Sequence, residues 1–148
     1  MRVGPVILPV TLVTSGGAAL IAFWLAMRTG SARRGAKVSI GDGGNPLLVA
    51  RMRAQANFTE YVPYILILIG LIELSCGAPT WLWVAGGLLL IGRILHALGM
   101  DGVRHGRVVG IAITFLLLVG LGGYAIVLPF LASAPTHAVK MQVLPAQG

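Results

Sequence analysis

Arg51-Met52-Arg53-Ala54-Gln55-Ala56-Asn57-Phe58-Thr59-Glu60-Tyr61-Val62-Pro63-Tyr64 decides how the rest of this chain is read. It is polar, yet it opens the second of four apolar segments. The apolar run behind it, Val62 to Ile72, reaches only about 16 Å as a helix. A bilayer core is about 30 Å thick and takes about 20 helical residues. A span built here must therefore carry Asn57, Glu60 and Arg53 to hydrocarbon depth. Each ionisable group costs roughly 2.5–3.5 kcal/mol there unless it faces protein or water, so such groups mark a functional site by default. At 100° per residue, Asn57, Glu60 and Tyr64 fall within about 40° of Arg53 and form one stripe, whereas Arg51 points about 160° away.

Composition supports a membrane reading outside this stretch as well. The 148 residues are 57% hydrophobic and 10% charged, with a mean hydropathy of +0.90. Soluble domains carry about 25% charged residues. The net charge of +7 does not point to nucleic acid, because the basic residues flank apolar runs and form no basic tail. A single cysteine, Cys76, leaves no intrachain disulfide framework.

The expectation is an all-α integral membrane protein, a four-transmembrane-helix bundle in a single domain over 1–148, with its core at about 5–132 and a flexible tail at 133–148. The first span is expected over Val3–Met27 and a basic loop over Arg28–Asn45. Asn45 followed by Pro46 predicts a helix N-cap and first turn, and the second helix runs to about Ser75 with Glu73 near the interface. Trp81 and Trp83 open the third span as an aromatic belt. This span must take in Arg93 and His96, and a Glu60–Arg93 pair is the expected partnership. The fourth span runs from Arg107 to about Ala132, with Gly120, Gly122 and Gly123 available for close packing. Lysine and arginine concentrate in the first and third loops, which places those loops in the cytoplasm and both termini on the opposite side.

The stretch Arg53-Ala54-Gln55-Ala56-Asn57-Phe58-Thr59-Glu60-Tyr61-Val62-Pro63 closely resembles the signature of the MAPEG family, the membrane-associated proteins in eicosanoid and glutathione metabolism. Ser31-Ala32-Arg33-Arg34 and the order of four spans match too, so the resemblance covers about residues 5–132. It implies a homotrimer that binds glutathione as co-substrate between neighbouring subunits, near the cytoplasmic side. Carried over by position, Arg34 and Arg53 would take its carboxylates and Glu60 its amino group, with Asn57, Gln55, Tyr61, Arg93 and His96 as further contacts. Arg107 matches the arginine placed near the sulfur, the catalytic position. A free thiol has a pKa of about 8.5, and a cation in a low-dielectric pocket favours the nucleophilic thiolate. His96 and Met100 stand where eicosanoid-metabolising relatives usually have tyrosines, a departure that bears on catalysis and on substrate.

The implied activity is a glutathione-dependent transferase or peroxidase acting on lipophilic small molecules or lipids from the bilayer. Two other readings compete with it. One is a non-catalytic, lipid-binding or scaffold protein that keeps the fold without thiol activation. The other is a small multidrug-type exporter using Glu60 as a proton-coupled carboxylate, which Arg53 and Asn57 beside it disfavour, since a neighbouring cation holds a carboxylate ionised. His96, His105 and His137 have no metal-ligand spacing, and Cys76 lies away from the polar stripe.

Overall fold

The structure, a computed structural model, describes residues 6–131. Four helices follow one another: α1 (Pro9–Gly35), α2 (Pro46–Cys76), α3 (Thr80–Met100) and α4 (Gly106–Leu131). Among the described residues there is no strand. Each helix is long and apolar enough to cross a membrane, and the chain is an integral, multi-pass membrane protein built as a four-helix bundle. The expected tail after Ser133 and the first residues of the expected first span lie outside the described residues.

Local sequence sets the helix ends. The Asn45 side chain accepts from the Leu48 amide at 3.0 Å, with Pro46 in the first turn, as the Asn-Pro pair predicted. Gly77, at φ +77°, stops α2 while its amide bonds to Glu73 O. α1 departs from expectation by continuing past Met27 to Gly35. Arg28 to Arg34 continue the helix despite Thr29-Gly30-Ser31, with Ala32, Arg33 and Arg34 as good helix formers in its last turn. The roughly 40 Å length of α1 also exceeds the membrane core, so its basic last turn needs no burial. It ends with Val38 N bonding to Arg33 O and Lys37 N to Arg34 O, both at 3.1 Å. This Schellman closure puts Lys37 in the left-handed region, at φ +54°.

α2 and α3 form the middle of the bundle. Each packs on the other and on both outer helices, whereas α1 and α4 do not touch. The buried face of α2, Ala54, Phe58, Val62, Ile65, Ile69 and Ile72, repeats every three or four residues, the period of one helical stripe.

Both ends of the bundle are tied by polar contacts. At the basic end, Asp101 after α3 pairs with Arg28 of α1 and, at 3.4 Å, with Arg51 of α2. Arg51 also donates to Arg28 O at 3.0 Å. At the opposite end Glu73, expected near the interface, lies in the last turn of α2 and is 2% exposed. Its carboxylate accepts from the Val10 amide (2.8 Å), the Thr11 amide (2.7 Å) and Thr11 Oγ1 (2.7 Å). α1 begins at Leu8-Pro9 with no side-chain cap of its own, so α2 supplies the acceptor for its orphan amides and the negative charge its dipole favours.

Within the protomer, the close contacts of α4 do not fall on the expected glycines. A Cβ on Gly120, Gly122 or Gly123 would meet nothing within 4 Å, whereas one on Gly99 would lie 1.9 Å from Arg107 N and one on Gly110 2.5 Å from Gly92 O. α3 and α4 thus meet backbone to backbone at the basic end, and this contact sets where Arg107 stands.

Candidate functional site

At the basic end, α2, α3 and α4 enclose a cleft of about 340 Å³. α2 contributes Arg53, Ala56, Asn57 and Glu60, α3 contributes His96 and Met100, and α4 contributes Arg107 and Ile111. Arg53, Asn57 and Glu60 come together because they lie three or four residues apart on one helix face. Tyr64 continues the angle but not the cleft: it is exposed and absent from the wall.

The cleft carries Arg53 and Arg107 against the single carboxylate of Glu60, and all three are exposed on the surface of the protomer. Among the described residues the ion pairs are those of Asp101 with Arg28 and Arg51, so no charge on the cleft wall is neutralised by another. The expected Glu60–Arg93 pair does not form, because Glu60 faces outward while Arg93, 2% exposed, turns into the bundle. Arg93 Nη1 donates to Asn57 Oδ1 at 2.8 Å, and Nη2 donates to Gly110 O at 3.3 Å and to Thr114 Oγ1. The Thr114 hydroxyl donates in turn to Gly110 O at 2.7 Å. Arg93 therefore braces the wall from behind, joining α2 to α4 through α3.

Of the residues singled out in the sequence, the cleft gathers Arg53, Asn57, Glu60, His96 and Arg107. Four others stand apart. Arg93 lies behind the wall. Tyr61 packs edge-on against Phe115, ring centroids 5.5 Å apart. Gln55 is half-buried off the wall, and Arg34 is exposed near the end of α1. Ile111 and Thr114 were missed by sequence reasoning, although a positional signal existed: they follow Arg107 by four and seven residues and so share its helix face. A second cleft of about 310 Å³, lined by Asp42, Val49, Met52, Arg53 and Ala56, adjoins the first through Arg53 and Ala56.

Chemically, the main cleft offers guanidinium donors for carboxylates, one carboxylate for an ammonium group, and a second cation where α4 enters. Apolar side chains, Met100 and Ile111, complete its wall.

Comparison with known proteins bears on the same segments. The family model described as MAPEG family matches residues 11–127, which takes in all the cleft residues. The chain is also similar to the inner membrane protein YecN of Escherichia coli strain K12, 38% identical over 64 residues, which is 43% of this chain and 48% of that protein. The YecN of E. coli O6:H1 strain CFT073 matches with the same figures. The chain spans about half the length of the curated relatives it matches. Four membrane-length helices, the Arg53–Pro63 stretch at the start of the second, and a family match over most of their length agree: the chain belongs to the MAPEG family.

Proposed function

We propose that the protein is a membrane-bound, glutathione-dependent transferase or peroxidase acting on lipophilic electrophiles that reach the site from the bilayer. What supports this is the convergence of Arg53, Asn57 and Glu60 from α2 with Arg107 from α4 on one cleft. Glutathione bears two carboxylates, one ammonium and one thiol. Arg53 takes a carboxylate and Glu60 the ammonium, while the positive charge of Arg107 stabilises the thiolate. In the transferase reaction the thiolate attacks an electrophilic carbon, a carbon–sulfur bond forms, and the displaced electron pair leaves with the departing group. In the peroxidase reaction it attacks a hydroperoxide oxygen, the O–O bond breaks to release the alcohol, and a second glutathione thiol displaces water from the sulfenic acid to give the disulfide.

The exposure of Arg53, Glu60 and Arg107 on one protomer fits a site closed by a neighbour in a homotrimer, with Arg34 reaching in from that neighbour. On this reading the basic end of the bundle faces the cytoplasm, following the arginine asymmetry of the loops.

Calorimetric titration of the detergent-purified protein with glutathione tests the assignment. Binding by the wild type that is lost in both Arg53→Ala and Glu60→Gln is the expected result, and no binding by folded wild type would overturn it. A second reading, a non-catalytic lipid-binding or scaffold protein, draws on His96 and Met100 in the cleft wall, where phenols are usual in eicosanoid-metabolising relatives. It predicts glutathione or lipid binding without turnover of any electrophile.

A further inference from the structure

An asparagine amide has two faces of opposite character: an oxygen that only accepts and an NH₂ group that only donates. Which face a ligand meets depends on what holds the other. The Asn57 side chain lies between the buried Arg93 guanidinium and the cleft. A guanidinium has five donors and no acceptor, so the amide atom 2.8 Å from Arg93 Nη1 is the oxygen. The NH₂ group is left for the cleft.

Arg93 itself has no comparable freedom. It is 2% exposed, and its other arm is held on α4 by Gly110 O and Thr114 Oγ1. Turning the Asn57 amide over would place its NH₂ against a buried cation and leave a buried donor unpaired, at a cost of roughly 1–3 kcal/mol or more.

We propose that Arg93 is a positioning residue that sets the polarity of the cleft through Asn57, so that the cleft reads a hydrogen-bond acceptor, a carbonyl or carboxylate oxygen of the thiol ligand, at this point. The inference rests on the glutathione reading above and assigns Arg93 a role other than ligand contact. With Asn57 presenting donors and Arg53 and Arg107 presenting cations, Glu60 is the one acidic group on the cleft wall. A zwitterionic peptide thiol fits one way round, with its ammonium at Glu60.

The test is a double-mutant cycle on the full chain in detergent, read as glutathione affinity by calorimetry. Arg93→Met and Asn57→Ala should each weaken binding by about tenfold, and the double variant should be no weaker than either alone, because both remove the same contact. Losses that multiply would show that Arg93 does not act on the ligand through Asn57, overturning this inference while leaving glutathione binding intact. Should Arg93→Met fail to fold, Asn57→Asp tests the idea with Arg93 in place. One carboxylate oxygen then meets Arg93 and the other turns an acceptor toward the cleft. Unfolding temperature should hold while affinity falls by about tenfold or more; affinity equal to wild type overturns the inference. Folded wild type that binds no glutathione overturns it together with the reading it rests on.

Discussion

Glu73 holds the start of α1 through Thr11, taking both its amide and its hydroxyl on one carboxylate oxygen at 2.7 Å. Two helix segments separated by more than sixty residues of sequence are joined there without any opposite charge, because the amides of a helix N-terminus serve in place of a cation. Glu73→Gln turns one arm of the group into a donor facing those amides, and should lower stability by about 1–3 kcal/mol. Thr11→Val removes one bond of the set and should cost about 1 kcal/mol. Thermal unfolding in detergent, followed by circular dichroism, measures both. An unchanged midpoint in Glu73→Gln would remove the capping role. Glutathione affinity of the folded variant should stay at the wild-type value, because the cleft is at the other end of the bundle.

Arg107 should matter for turnover more than for binding. Arg107→Ala is expected to reduce the rate with a lipophilic aryl halide by about 100-fold, the scale on which a preorganised charge contact is lost. The loss should depend on pH. Without the cation, the bound thiol titrates nearer its free value of about 8.5, so the thiolate fraction at pH 7 drops steeply while that at pH 9 changes little. The rate profile of the variant should therefore shift to higher pH. A uniform loss at every pH would instead point to misplacement of the ligand.

The backbone contact between α3 and α4 gives a sharper structural test. Gly99→Ala places a methyl group 1.9 Å from Arg107 N, and neither backbone can move without separating the helices. A loss of about 3 kcal/mol or more is expected, with weakened turnover because Arg107 moves with α4. Gly123→Ala, whose methyl meets nothing within 4 Å, should be neutral or stabilising by up to about 1 kcal/mol through helix propensity. Equal behaviour of the two variants in a thermal melt would contradict the packing described.

Lys37 occupies a left-handed conformation at the end of α1, a position that suits glycine. Lys37→Gly should stabilise the fold by about 1 kcal/mol. The measurement is again the unfolding midpoint, and a decrease would mean that the lysine side chain contributes more than its backbone costs.

The spans and the polar stripe were legible in the sequence because both rest on local periodicity. The first and fourth apolar runs identify themselves by length, Asn45-Pro46 announces a helix start, and Arg53, Asn57 and Glu60 share a face by arithmetic alone. The partner of Arg93 was not legible. The stripe offered Glu60 and Asn57, and the choice between them depends on which edge of α2 turns toward α3, a tertiary fact. The partners of Glu73 were not legible for the same reason, since they include backbone amides of a distant helix that no side-chain pattern reveals. The glycines failed differently: the cluster in α4 looked like a packing surface, but the close approach falls on Gly92, Gly99, Gly106 and Gly110, where α3 and α4 cross near their shared loop.

That α1 and α4 do not touch bears on how the protein is made. Chains emerge from the ribosome N-terminus first, so α1 and α2 are complete and can pair as a hairpin before α3 and α4 exist. At that stage Arg53, Asn57 and Glu60 are already in place, but two walls of the cleft are missing. The second hairpin, α3 and α4 packed along their glycine seam, then docks on α1 and α2, and α3 brings Arg93 behind Asn57. The pocket is thus the last part of the molecule to be assembled, and a nascent chain halted after α2 carries its polar stripe into the bilayer with nothing yet to shelter it.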